Sequence, residues 1–99
     1  MEISAQTLKD YILKGKNFQL IDIRENYEFE AYNIGGINIP MDEVMTNLHL
    51  LDFKKPIVFC CTEGLKSKAL INILNRKIEN STLYSLKGGI MNYYEEFEI

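Results

Sequence analysis

The chain of 99 residues has no apolar run approaching the roughly 20 residues that cross a bilayer. It has no basic stripe: the net charge is -3, which disfavours nucleic acid and anionic lipid as partners. Its single histidine, His49, has no Cys or His neighbour at a zinc-binding spacing, so no metal site is expected and His49 reads as a helix-end or surface residue. Its start, Met1-Glu2-Ile3-Ser4, lacks the charged and apolar regions of a signal peptide, and a cytoplasmic location is the default expectation. Low-complexity tracts, repeats and Pro-rich linkers are absent, which leaves one domain over residues 1–99. The two cysteines, Cys60 and Cys61, are adjacent in the chain. Pairing them closes only a small strained ring, so both are expected as thiols.

What is present alternates. Phe18–Ile23, Pro56–Cys60 and Thr82–Leu86 read as strands, with Ile37–Ile39 a shorter one and Ile3 opening another. The near-continuous apolar character of Pro56–Cys60 suits a strand covered on both faces. Helices are expected between them. Ser4 caps one from Ala5 to Lys14, with Leu8, Tyr11 and Ile12 on one face and Gly15 as its stop. Asn26 is the expected cap of a short helix containing Tyr27, Phe29 and Glu30, and Asp42 that of another through Val44, Met45 and Leu48. Ser67–Ile78 carries Leu70, Ile71, Ile73, Leu74 and Ile78 on a wide apolar face. Ile90–Phe97 forms the last helix after Gly88-Gly89. The class is α/β with a mainly parallel sheet.

Ligands of such sheets bind outside the carboxyl ends of the strands. Cys61 falls where a strand ends, and Gly64 lets the following loop take a positive φ. Successive backbone N–H groups in a loop of this kind form an anion nest, and the helix behind it adds its positive end. A thiolate is a nucleophile, and a persulfide made from it is another soft anion the same groups can hold. Cys60 continues the strand and reads as a small apolar core residue. Lys66 and Lys68 are the local cations, opposed by Glu63; Lys68 reads as a solvated helix-start residue.

Four blocks, in order, resemble the single-domain rhodanese family of sulfurtransferases. Leu20-Ile21-Asp22-Ile23-Arg24-Glu25 with Tyr27-Glu28-Phe29 resembles its Asp-x-Arg-Glu…Glu-Phe signature. Ile34-Gly35-Gly36-Ile37-Asn38-Ile39-Pro40 resembles its Ile-x-Gly-Ala-x-Asn-Ile-Pro segment. Cys61-x-x-Gly64-x-Lys66-Ser67 resembles its active-site loop Cys-x-x-Gly-x-Arg-Ser, and Leu86-Lys87-Gly88-Gly89-Ile90 its Leu-x-Gly-Gly-Ile. The resemblance implies a rhodanese-like, five-stranded, mainly parallel sheet flanked by helices on both faces. It implies that Cys61 is the nucleophile and persulfide carrier, cradled by the backbone N–H groups of Thr62, Glu63, Gly64, Leu65, Lys66 and Ser67. Asp22 and Arg24 have a supporting role, Arg24 pairing with a carboxylate such as Glu28. No cofactor is implied. The partners implied are a small anionic sulfur donor such as thiosulfate and a thiol or cyanide-like acceptor, or a protein donor or acceptor.

The chain departs from the family where Asn33 replaces a histidine, Tyr93 stands for a Trp, and Lys66 replaces Arg. Lys lacks the planar fork of Arg, which weakens the case for thiosulfate. A persulfide carrier and a non-catalytic module of the same fold are alternatives, though Cys61 is retained. A Cys-dependent phosphatase needs five residues between nucleophile and Arg; Cys61 and Lys66 enclose four.

Overall fold

A computed structural model of the protein describes residues 1–97. Five strands form one sheet in the order β1-β5-β4-β2-β3, every pair parallel. The strands are β1 Glu2–Ile3, β2 Gln19–Asp22, β3 Ile37–Asn38, β4 Ile57–Cys60 and β5 Leu83–Leu86. The helices are α1 Ala5–Leu13, α2 Asn26–Ala31, α3 Met41–Val44, α4 Leu65–Lys77 and α5 Gly89–Phe97, with a 3-10 turn at Leu48–Leu50. Among the described residues no helix is long and apolar enough to cross a membrane.

β4 lies at the centre, and all four of its residues are buried. Successive strand side chains point to opposite faces, so this strand feeds two cores. Ile57, Phe59 and Cys61 join Ile21, Leu70, Ile71 and Leu74 on the α3–α4 face. Val58 and Cys60 join Leu8, Leu86, Ile90 and Tyr93 on the α1–α5 face. The adjacent cysteines therefore belong to different cores, and both are free thiols.

Several expected boundaries move. Glu25, not Asn26, stands at the cap of α2; its backbone is extended, while Asn26 is already helical. Pro40, not Asp42, precedes α3, and Asp42 lies in the first turn. The helix expected to run through Leu48 stops at Val44 and resumes as the 3-10 turn, where His49 is exposed. α4 begins at Leu65, two residues earlier than expected, behind Gly64 at its cap. Ile12 and Ile73 leave their expected core faces and are 41% and 38% exposed. Leu70, Ile71 and Leu74 occupy the buried stripe of α4, and Ile73 falls outside it at 3.6 residues per turn.

One buried ion pair shapes the carboxyl edge of β2. Asp22 is fully buried and accepts from the Arg24 amide at 3.0 Å, from Nε at 3.1 Å and from Nη2 at 2.9 Å. The same Nη2 donates to the Tyr32 carbonyl at 2.6 Å, tying β2 to the far end of α2. This corrects the expected pairing with Glu28, whose carboxylate instead accepts the Glu25 amide at 3.1 Å and closes the first turn of α2. A bidentate fork held close to its own strand leaves no reach for Glu28. Burial works against the Arg24 charge, but the hydrogen bond and negative charge of Asp22 outweigh it and hold the guanidinium above its ordinary pKa. Arg24→Ala strands a buried carboxylate and is expected to cost about 3–5 kcal/mol. Urea unfolding followed by circular dichroism checks this; an unchanged midpoint contradicts it.

Candidate active site

The segment from Cys60 to Ser67 must end a strand, turn and start a helix. Gly64 makes the turn with φ 91°, a left-handed conformation that side chains rarely adopt. The turn is held from outside by α5. Ile90 and Met91, in the unsatisfied first turn of that helix, donate their amides to the carbonyls of Cys61 at 2.9 Å and Thr62 at 3.1 Å. The approach is close enough that a Cβ on Gly89 would run into those same carbonyls. A trans peptide points its C=O and N–H in opposite directions, so pinning these carbonyls to α5 turns the Thr62 and Glu63 amides away from it.

Inside the turn sits the sulfur of Cys61, a residue only 4% exposed. The Gly64 amide donates to Sγ at 3.1 Å and the Ser67 amide at 3.4 Å. Of the six expected cradle residues, these two meet the sulfur. Thr62, Glu63, Leu65 and Lys66 line the wall of the opening above it, together with Arg24. Their amides have no hydrogen-bond acceptor among the described residues outside regular helix bonding. Asp22 is brought close in the sheet, paired in register with Cys60, but reaches the site only through Arg24.

Ser67 adds a side chain. Its Oγ lies 3.5 Å from the Cys61 sulfur and 2.5 Å from Oγ of Ser85 on β5, and both hydroxyls lie 3.3 Å from the Gly64 carbonyl. Both serines are fully buried. Two hydroxyl protons are therefore shared among four contacts. With a proton on sulfur, the hydroxyls can turn to Gly64. With an anionic sulfur, Ser85 donates to Ser67 and Ser67 to sulfur. The sequence reading missed Ser85. The one available signal is a serine inside an otherwise apolar strand, Leu83-Tyr84-Ser85-Leu86, where a buried hydroxyl needs a partner.

Cys60 is different in every respect. It is fully buried on the opposite face. Burial, aided by the negative charge of Asp22, pushes its thiol well above the ordinary range, against a smaller opposing effect from Arg24. Asn33, in the place of the family histidine, accepts from the Gly35 amide and donates to the Phe29 carbonyl, both at 2.9 Å, and so secures the end of α2. Tyr93 is buried and packs edge-on against Phe97. Lys68 faces away from the site, 3.8 Å from Glu2, in an exposed pair of little energetic weight.

The groove over Cys61 has a volume of about 900 Å³, and Met41, Met45, Leu65 and Ile73 give it an apolar wall. The Cys61 sulfur thus lies at the floor of this groove, with backbone N–H donors fixed around it.

Known proteins agree with this architecture. The chain is similar to a protein of Bacillus subtilis named YqhL, 34% identical over 76 residues, which is 76% of this chain and 60% of that protein, so it spans less than two thirds of that relative. It is 29% identical over 96 residues to YtwF of the same organism, whose name proposes a sulfurtransferase, covering 96% of this chain and 91% of that one. A crystal structure of a rhodanese-related protein from Thermoplasma volcanium superposes with a TM-score of 0.82 at 27% identity, covering 96% of this chain and 91% of the other. The model of the Rhodanese-like domain matches residues 4–96, nearly the whole chain, and the protein belongs to that family.

Proposed function

We propose that the protein is a sulfurtransferase that carries sulfane sulfur as a persulfide on Cys61. One observation carries the reading: the Cys61 sulfur, at the floor of an open groove, accepts two backbone N–H groups and lies beside a buried hydroxyl. Such a setting places hydrogen-bond donors where a sulfur anion would need them.

In the first half-reaction the Cys61 thiolate attacks the outer sulfur of a donor. A bond forms between the two sulfurs, and the donor's bond to that sulfur breaks with the electron pair leaving on the donor. With thiosulfate the leaving group is sulfite, and the enzyme holds Cys61–S–S⁻. In the second, a thiophile such as a thiolate or cyanide attacks the outer sulfur, and the electron pair returns to Cys61. Charge balances in each step, and no cofactor is required. The Gly64 and Ser67 amides hold the inner sulfur throughout. The amides of Leu65 and Lys66, at the positive end of α4, stand ready for the outer one. The sulfurtransferase name proposed for the relative YtwF and a groove that reaches Cys61 both favour this reading over a non-catalytic module.

After incubation with a sulfane donor, intact mass spectrometry is expected to show the protein heavier by one sulfur atom. Peptide mapping should place it on Cys61, absent in Cys61→Ser and kept in Cys60→Ala. An adduct on Cys60, or none with thiosulfate or a persulfide donor, contradicts the assignment. In the folded protein at pH 8, iodoacetamide is expected to modify Cys61 and leave Cys60 untouched until urea exposes it, because burial keeps the Cys60 thiol protonated.

The hydroxyl chain gives a second expectation. Ser67→Ala removes a donor to the sulfur anion and should slow persulfide formation by about tenfold. Ser85→Ala leaves Ser67 free to turn toward Gly64, and should slow it in the same direction by less. Single-turnover rates measure both; an unaltered rate in the Ser85 variant removes Ser85 from the mechanism.

A further inference from the structure

The sulfurtransferase reading leaves the donor open, and the walls of the groove constrain it. Six charged residues line the opening: Glu25, Glu28, Asp42 and Glu63 against Arg24 and Lys66. The Arg24 guanidinium is committed to the buried Asp22 carboxylate, which is not part of the lining. Among the described residues, four carboxylates therefore face a single uncommitted cation of the lining, Lys66. Thiosulfate, with two negative charges, approaches against this field, and so does a nucleic acid. A groove of about 900 Å³ also exceeds what a small anion fills and falls in the range that encloses much larger ligands. Its wall includes Leu65, 70% exposed, beside Ile73 and Met45.

Resting on that reading, we propose that the groove docks a cationic, partly apolar protein segment bearing a cysteine persulfide, which is the sulfur donor to Cys61. Lysine or arginine side chains of the segment meet Glu25, Glu28 and Asp42, and an apolar side chain covers Leu65 and Ile73. The Cys61 thiolate attacks the outer sulfur of the donor R–S–SH. The new S–S bond forms as the old one breaks, the donor leaves as R–S⁻, and the proton stays on the transferred sulfur. The exchange is neutral in charge and in oxidation state.

The test uses short peptide persulfides that differ only in flanking residues: Lys and Leu, Ser and Leu, or Glu and Leu. The rate of sulfur appearance on Cys61 is followed by intact mass, beside thiosulfate and a small neutral alkyl persulfide. At low salt the Lys peptide is expected to load Cys61 about tenfold faster than the Glu peptide. It should also outpace the small alkyl persulfide, and the gap between peptides should close as salt screens the rim. The combined variant Glu25→Gln, Glu28→Gln and Asp42→Asn should narrow the gap. Glutamine at position 28 retains an oxygen for the Glu25 amide, and a thermal melt verifies folding; the salt series on the unaltered protein stands independently. Equal peptide rates, a faster Glu peptide or preference for thiosulfate overturns the docking proposal while leaving the persulfide on Cys61 intact. Failure of every donor to load Cys61 overturns both.

Discussion

The carboxyl edge of the sheet is governed by one constraint: the chain must pass from β4 to α4 around a single sulfur atom within a few residues. Ordinary side chains rarely make that turn at Gly64, and a Cβ at Gly89 would run into backbone where α5 closes on the loop. The carbonyls of Cys61 and Thr62 are spent on the first amides of α5. That bond serves two ends at once. It satisfies donors that every helix N-terminus leaves unpaired, and it fixes which way the loop peptides point. The cradle around Cys61 is thus built by an element some thirty residues away in sequence, and its donors are oriented before substrate binds.

Parallel pairing on both sides of β4 decides the fate of the two cysteines. A strand neighboured by β2 and β5 must bury both faces, so adjacent residues enter different cores. Cys60 becomes packing, with a thiol that burial and Asp22 keep neutral. Cys61, one residue on, leaves the ladder and meets the groove. Their difference arises from a step of one residue in a pattern of period two.

This explains what could be read in the chain and what could not. Apolar runs marked β2, β4 and β5, and the spacing from Cys61 through Gly64 to Ser67 marked the loop, because these signals are local. The Asp22–Arg24 fork was readable only as two charged residues. Its choice of partner depends on how far a guanidinium can reach once β2 has ended, which favours the residue two positions back over Glu28. Ser85 was readable only as a hydroxyl in an apolar strand, for the same reason: its partner Ser67 lies on another element, 18 positions away. Caps at Glu25 and Pro40 displaced the expected Asn26 and Asp42 because neighbouring strands set the backbone there. The Met41 amide, for example, is held by the Ile23 carbonyl at 3.0 Å, ahead of any side-chain preference.

The site joins two electrostatic demands that look opposed, and distance reconciles them. The Cys61 sulfur is met by N–H groups at 3.1 and 3.4 Å, dipoles too short in range to matter far from the loop. The carboxylates of the rim are full charges, felt across the groove up to a screening length of about 8–10 Å. Local dipoles therefore govern what is stable once bound to Cys61, while the rim governs what arrives. Because Asp22 neutralises Arg24 within the fold, the one guanidinium that lines the groove among the described residues is already paired. In the transfer proposed above, chemistry on a sulfur anion proceeds behind an entrance whose charge opposes free anions.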